Sequence, residues 1–242
     1  MNPQIPIYTR DQDMMCYRKQ IIQAIQQMRK LPYYQNEAAA SGRVHNYARH
    51  EEAIADVLKE NNFIQFMPAT KLIKKETLLW MDQPHLANGM LNGTFIEQPF
   101  GKQQSPDFIV KVSDSFVLFL EAKSSATALA PTYNSGIPHK NFIYIFCAKK
   151  TNETTIYKGD SVINIVQQNL ILQHIEEARK RDEELNKTLK LLDTNHRGIA
   201  YYTRPMLQQK GGNNCTNYFS HTHREHTEKA AIDWITKQCY PE

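Results

Sequence analysis

The segment that most constrains the fold is SPDFIVKVSDSFVLFLEAKSS, residues 105–125, which places charged side chains among two apolar runs. The runs alternate in the manner of β-strands, and the polar residues between them predict a tight turn. The segment therefore predicts an antiparallel hairpin. Charged side chains are rarely buried without a partner, so Asp107, Glu121 and Lys123 require an explanation.

The two strands place these three charges at one edge of a sheet. Side chains alternate between the faces of a strand, so Glu121 and Lys123 share a face within FVLFLEAK, residues 116–123. Asp107 begins the preceding strand directly after a proline. In a hairpin it lies opposite the far end of the second strand. We therefore expect two carboxylates and one ammonium group to converge.

This combination of residue types suits phosphodiester chemistry. Two carboxylates can hold Mg²⁺, which prefers a few carboxylates together with waters and phosphate oxygens. A bound metal lowers the pKa of its water and neutralises charge on a phosphate. A nearby lysine can orient or deprotonate the attacking water, or stabilise the pentavalent phosphate. We expect Asp107 and Glu121 as metal ligands and Lys123 as a catalytic residue.

A simpler interpretation needs no catalysis. Glu121 and Lys123 would form a surface ion pair on an edge strand, and Asp107 would cap a turn. The density of apolar residues around the three charges argues against this interpretation.

The same residues carry a resemblance to a known family. Pro106-Asp107 followed by Glu121-Ala122-Lys123 resembles the PD-(D/E)xK motif of the nuclease superfamily, in particular of type II restriction endonucleases. The resemblance covers roughly residues 95–150. It implies a Mg²⁺-dependent enzyme that cleaves double-stranded DNA at a specific short sequence and leaves 5′-phosphates. It also implies a homodimer, and an additional glutamate from the helix before the sheet.

Two neighbouring residues compete for the role of this additional acid. Glu51 lies three and seven residues before Ile54 and Leu58, in line with the apolar stripe of its helix, whereas Glu52 is rotated away. We therefore favour Glu51 as a metal or water-positioning ligand. A solvated glutamate that interacts with the helix dipole is an equally good explanation.

Polar residues in three segments are candidate DNA contacts. Arginine, lysine, histidine and amide side chains bind phosphates or base edges. One segment begins the second helix, one precedes the catalytic strand, and the third, residues 201–226, is the best candidate for sequence recognition. Each could instead be an ordinary solvent-exposed segment. The candidates are Arg43, Asn46, Arg49, Gln104, Arg204, Gln208, Gln209, Lys210, Asn213, Asn214, His223 and Arg224.

A zinc site is an alternative for part of the third segment. Cys215, His221, His223 and His226 are competent zinc ligands. Their spacing, C-x5-H-x-H-x2-H, matches none of the common zinc-finger patterns. We give this site less weight than DNA contact.

The order of predicted elements favours an α/β three-layer sandwich with a central mixed sheet flanked by helices. We expect one domain over residues 1–242, with the catalytic core at 44–150 and a long helix and polar recognition region at 160–242. The long run has Asp160 or Ser161 as its predicted N-cap and forms one helix or two. Its apolar stripe is Val162, Ile165, Val166, Leu170 and Leu172. The predicted helices are 11–30, 44–60, 70–81 (or irregular), the long helix and 227–238; the strands are 62–67, 107–112, 116–123, 142–148 and 198–203; the loops are 82–105 and 208–217.

Charge and hydropathy agree with a nucleic-acid partner. The net charge of +4 is mildly basic, and residues 197–229 carry five Lys or Arg against two Glu. No stretch reaches the roughly 20 apolar residues of a membrane span, so we expect a cytoplasmic protein without a membrane partner. The alternatives to a restriction enzyme are a repair or structure-specific nuclease, and a non-catalytic DNA-binding protein on the same fold.

Overall fold

The centre of the computed structural model is a mixed sheet of six strands in sequential order. The strands are β1 (Ile64–Gln65), β2 (Thr94–Glu97), β3 (Phe108–Ser113), β4 (Phe116–Ser125), β5 (Ile143–Ala148) and β6 (Glu153–Lys158). Neighbours are antiparallel except for the parallel pairs β1–β2 and β4–β5. The structure describes residues 10–33, 48–101, 104–134, 136–209 and 216–241.

Among the described residues, the helices beside the sheet are α1 (Arg10–Met28), α2 (Ala48–Glu60), α3 (Lys74–Leu78), α4 (Ile165–Leu191) and α5 (Arg224–Cys239). Helices α1, α2 and α5 pack on one face, where Ile25, Leu58 and Ile235 are fully buried. Short elements and loops cover the other face. This arrangement confirms an α/β fold with a mixed, helix-flanked sheet, and it is compatible with the predicted three-layer sandwich.

The hairpin of β3 and β4 follows the predicted alternation. Phe108 pairs with Leu120 and both face the helices, whereas Ile109 pairs with Phe119 and both face the other way. Strand β4 continues beyond β3 and pairs with β5, so it is an internal strand of the sheet. The Glu121–Lys123 ion pair of the simpler interpretation is present at 2.7 Å, but Glu121 is only 5% exposed, so the pair does not lie on the surface.

Several other predicted elements differ from the structure. The predicted loop 82–105 contains β2, strand β6 was not predicted, and the predicted strand 62–67 reduces to the two residues of β1. Residues 198–203 do not form a strand. Their backbone is instead held by side chains of α4: Asn186 both donates to and accepts from the backbone of Tyr201, at 2.7 Å each way. The Asn186 side chain thus makes the backbone hydrogen bonds with Tyr201 that a neighbouring strand would otherwise make.

The long helix was placed correctly, but its N-cap was not. A single 3₁₀ turn, Gly159–Ser161, precedes it, and its N-cap is Asn164 rather than Asp160 or Ser161. The Asn164 side chain accepts from the backbone of Gln167 at 2.9 Å, and the Gln167 side chain accepts from the backbone of Asn164 at 3.1 Å. This reciprocal pair is a capping box.

The apolar stripe of α4 is exposed. The structure gives α4 no buried residue, and Ile165, Val166, Leu170 and Leu172 are all exposed. Helical periodicity identified an amphipathic helix, but neither face of the sheet is open to it. Helices α1, α2 and α5 cover one face, and short elements and loops cover the other.

The remaining helices follow the sequence pattern. Helix α1 matches the predicted helix 11–30, α5 matches 227–238, and α2 matches 44–60 except for residues 44–47, which lie outside the described residues. Among the described residues, no helix has the length and hydropathy needed to cross a membrane.

Candidate active site

Asp107 lies at the point where β3 begins beside the longer β4. Its backbone N–H donates to Leu120 O at 3.1 Å, and its Oδ2 accepts from the backbone N–H of Ala122 at 2.8 Å. The carboxylate thus satisfies a backbone donor of β4 where the partner strand has not yet begun. This double attachment fixes Asp107 opposite the end of β4, as the hairpin predicted.

Glu121 and Lys123 lie on β4 directly beside this carboxylate. The Lys123 ammonium donates to Glu121 Oε1 at 2.7 Å, and Glu121 is only 5% exposed. The second oxygen of Glu121, Oε2, is buried without a hydrogen-bond partner. A buried carboxylate oxygen without a donor is costly, so the site lacks a positive or hydrogen-bonding group at this point.

The environment of Asp107 disfavours its charged form. Burial, then the negative charges of Glu121 and Glu51, raise the pKa of Asp107 to about 8. The Ala122 N–H and the Lys123 ammonium lower the pKa of Asp107, but by less than burial and the two acids raise it. The structure therefore places the carboxyl groups of Glu121 and Glu51 close enough to Asp107 to disfavour its charge, which is typical of functional sites.

Glu51 reaches the site from α2, on the helical side of the sheet. Its Oε2 accepts from Gln98 Nε2 at 2.5 Å, and its charge raises the pKa of Asp107. Glu52 is exposed. Of the two competing residues, Glu51 is thus the one that the structure brings to Asp107.

A cavity of about 130 Å³ opens beside Glu121 and Lys123, and residues that the sequence did not single out line it. Lys74 of α3 is one of them. Burial lowers the pKa of Lys74, and attraction to Glu121 partly opposes this shift. The Lys74 ammonium also lies 5.7 Å from the centre of the Phe100 ring. The cavity therefore holds a second cation near the acids.

His139 and Tyr144 also line this cavity. The Tyr144 hydroxyl accepts from the backbone N–H of His139 at 2.8 Å, and the His139 ring stacks on Phe142 at 4.5 Å between ring centres. Burial lowers the pKa of His139, so its imidazole is neutral near pH 7. Its Nδ1 is buried without a hydrogen-bond partner.

The acids fit a magnesium ion. Glu121 Oε2 has no donor, and Asp107 is destabilised by neighbouring negative charge, two features that a divalent cation would relieve. Within the described ranges, no group of three or more His, Cys, Asp or Glu side chains is placed to hold a metal ion together. Mg²⁺ requires only one or two carboxylates, with waters and phosphate oxygens completing its shell.

The candidate DNA contacts fall into three groups. Arg43, Asn46, Lys210, Asn213 and Asn214 lie outside the described residues, as does the side chain of Arg49. Four side chains are exposed, and Gln209 is half-buried. The exposed ones are Gln104, Arg204, Gln208 and His223.

Arg224 is occupied inside the protein. Its guanidinium contacts Glu153 at 2.5 Å and Glu228 at 2.9 Å, and it also donates to the backbone carbonyls of Phe219 and Thr154. These contacts tie the start of α5 to β6. The structure therefore gives Arg224 a structural role in addition to any contact with DNA.

The zinc alternative gains no support from the part of the chain that the structure describes. Cys215 lies outside it, and His221 Nδ1 accepts from the backbone N–H of His223 at 3.1 Å. No three potential metal ligands cluster among the described residues.

Comparison with family models, with curated proteins and with solved structures finds no match to this chain. The functional interpretation therefore depends on the motif and on the geometry of the site.

Proposed function

We propose that the chain is a Mg²⁺-dependent, type II site-specific endonuclease with a restriction-endonuclease-like fold, which hydrolyses double-stranded DNA and leaves 5′-phosphates. The observation that carries the proposal is the group formed by Asp107, Glu121 and Lys123 at the end of β4. The carboxylates of Asp107 and Glu121 repel each other, and the Lys123 ammonium lies 2.7 Å from Glu121 Oε1. This is the composition expected of a metal-assisted phosphodiesterase.

Asp107 and Glu121 would hold the metal, with Glu121 Oε2 as the available oxygen. When bound, Mg²⁺ supplies charge neutralisation and a water of lowered pKa. Glu121 Oε1 holds the ammonium of Lys123, which lines the cavity, where it can orient the attacking water or neutralise the phosphate. Glu51, fixed by Gln98, adds negative charge that favours cation binding.

The exposed candidates Arg204, Gln208 and His223, together with the basic balance of residues 197–229, support DNA recognition by the C-terminal region. A homodimer belongs to the same proposal, because a two-fold protein matches a palindromic site. A repair or structure-specific nuclease would use the same chemistry on different DNA. A non-catalytic DNA-binding protein would retain the fold without cleavage.

The experiment that tests the proposal is cleavage of large unmethylated DNA. We expect discrete fragments with Mg²⁺, none with EDTA, and none with Glu121→Ala in either condition. The matched control is Glu52→Ala, an exposed acid on α2, which should cut as the unchanged protein does. Intact DNA across many sequences and divalent metals would contradict the catalytic role, and a smear instead of bands would favour a nuclease without sequence specificity.

Lys74 provides a second prediction for the same assay. Lys74→Met removes the cation that Glu121 attracts, so we expect the cleavage rate to fall by roughly 10- to 100-fold through loss of phosphate neutralisation. Lys75→Met is the matched control, because Lys75 is exposed on the same short helix. Equal single-turnover rates for the two variants would show that Lys74 does not contact the phosphate.

A further inference from the structure

Helix α4 lies apart from the packed body of the protein. Among the described elements, no helix or strand packs extensively against it, and none of its residues is buried. At about 1.5 Å per residue, the 27 residues of α4 span roughly 40 Å. A helix in water gains most of its stability from packing against a partner. Helix α4 therefore presents a long surface that is largely open.

One face of α4 is covered by residues 198–203 of the same chain. The Asp182 carboxylate accepts from the backbone N–H and from the hydroxyl of Thr203, at 2.5 and 3.0 Å. Asn186 holds the same segment through the backbone of Tyr201. Asp182 and Asn186 are four positions apart, so they share one face of the helix. A partner must therefore contact the opposite face.

The opposite face carries residues at alternating steps of four and three positions, the spacing of the contact residues in a coiled coil. We call these residues the α4 seam. Its ends are apolar, where Val166 is 64% and Leu191 86% exposed, and its middle carries charges of both signs. All of the seam residues are exposed: Val166, Leu170, Gln173, Glu177, Lys180, Glu184, Lys187 and Leu191.

The α4 seam is complementary to itself when a second copy runs antiparallel to it. A two-fold axis midway between residues 178 and 179 places Glu177 opposite Lys180 of the second copy, and symmetry repeats this contact. The same axis places Val166 opposite Leu191 of the second copy. A parallel pair in register would instead place each charge opposite the same charge, which is repulsive. The order of charges thus selects the antiparallel pair.

Two other pairs of the seam also match under this axis. Gln173 lies opposite Glu184 of the second copy, where an amide can donate to a carboxylate. Leu170 lies opposite Lys187, whose apolar stem can cover it while the ammonium stays in water. Exposed ion pairs contribute little each, so the apolar ends supply most of the stability and the charges fix direction and register.

Acidic residues beside the seam are neutralised within α4. Glu176 and Glu183 flank the seam on one side, where the antiparallel pair brings the same side of both helices together. Arg179 lies 3.3 Å from Glu176 and 3.8 Å from Glu183. Their repulsion between copies is therefore reduced.

We propose that the α4 seam pairs with the same seam of a second copy, antiparallel and two-fold, and so forms the dimer interface of this protein. The proposal rests on the proposed function only for the homodimer, whose surface it names. A two-fold dimer holds two active sites in the symmetry of a palindromic duplex.

The test is the oligomeric state, measured by sedimentation velocity over a dilution series, without DNA and in EDTA. We expect a monomer–dimer equilibrium for the unchanged protein. Glu177→Lys and Lys180→Glu each place like charges opposite one another, so each should raise the dimer dissociation constant by about 10-fold. Lys190→Glu, exposed on α4 but outside the seam, is the matched control and should leave the constant unchanged.

An equimolar mixture of the two variants distinguishes contact between copies from weakening of the helix. In a mixed dimer, Glu177→Lys of one copy meets Lys180→Glu of the other, so opposite charges face each other again. The mixture should regain the affinity of the unchanged protein within a few-fold. Each variant keeps its like charges three positions apart within α4, so a weakened helix would persist in the mixture. Because α4 has no buried residue, neither variant disturbs the core.

The other outcomes overturn the proposal in different ways. A dimer that neither variant weakens assigns the homodimer to another surface. Weakening without recovery in the mixture contradicts the two-fold register. A monomer at every concentration overturns both this surface and the homodimer of the proposed function. Cleavage of DNA by the unchanged protein, measured separately with Mg²⁺, shows whether the proposed chemistry has failed.

Discussion

Replacing Lys123 by methionine should lower the single-turnover rate of DNA cleavage by about 10³-fold, within the range that general acid–base groups contribute. Lys123 is 18% exposed at its side chain and lies 2.7 Å from Glu121 Oε1. Methionine keeps the length and removes the charge. Because the loss falls on the chemical step, additional Mg²⁺ should not restore the rate, and DNA affinity should change little.

Lys123→Arg separates the two roles that the sequence left open for this residue. A guanidinium keeps its proton at all accessible pH values, so it cannot deprotonate water. If Lys123 deprotonates the water, arginine should be as inactive as methionine; if it neutralises the phosphate, arginine should retain part of the rate. Lys149→Met, at an exposed turn after β5, is the control. A Lys123→Met protein that cuts within a few-fold of the unchanged rate would remove Lys123 from the mechanism.

The positions of Asp107, Glu121 and Lys123 could be predicted because they depend on residues that lie close together in the sequence. Within residues 105–125, strand alternation and one turn fix the register, and the register places Asp107 opposite Glu121. Helical spacing likewise distinguished Glu51 from Glu52. In both instances, geometry that repeats every two or 3.6 residues determines which side chains share a face.

Residues that reach the site through long-range packing were not predictable. Lys74 arrives from a helix of five residues, too short for a periodic pattern, and His139 arrives from a loop before β5. The exposed apolar stripe of α4 shows a second limit of prediction from sequence patterns. Periodicity reports that a helix has an apolar face, but tertiary packing decides whether another element covers it.

Asp107→Asn should make the protein more stable at neutral pH while it abolishes cleavage. The pKa of Asp107 is raised to about 8 from an ordinary 3.8, chiefly by burial and then by Glu121 and Glu51. The folded state therefore favours the protonated carboxyl group. Its contribution to stability is fully present below pH 3.8 and is lost as the pH rises towards 8. Asparagine does not ionise, and its amide oxygen can still accept from Ala122 N–H.

The measurement is the melting temperature, Tm, in EDTA at pH 4 to 9. The Tm difference between Asp107→Asn and the unchanged protein should be near zero at pH 4 and reach about 5 °C or more above pH 8. For a protein of this size, a change of 1 kcal/mol in the free energy of unfolding shifts the Tm by roughly 2–4 °C. Asp114→Asn, at the exposed β3–β4 turn, is the control and should show no such growth.

Magnesium should reverse the order of the two proteins. A ligand that binds only the folded state raises its stability in proportion to the logarithm of its concentration, and the unchanged protein retains both acids that would hold Mg²⁺. Its Tm should therefore rise with added Mg²⁺, whereas that of Asp107→Asn should rise much less. Because this measurement requires no DNA, it tests the metal site independently of cleavage. An asparagine variant that melts below the unchanged protein at pH 8 in EDTA would show that repulsion among the three carboxylates does not destabilise the metal-free fold.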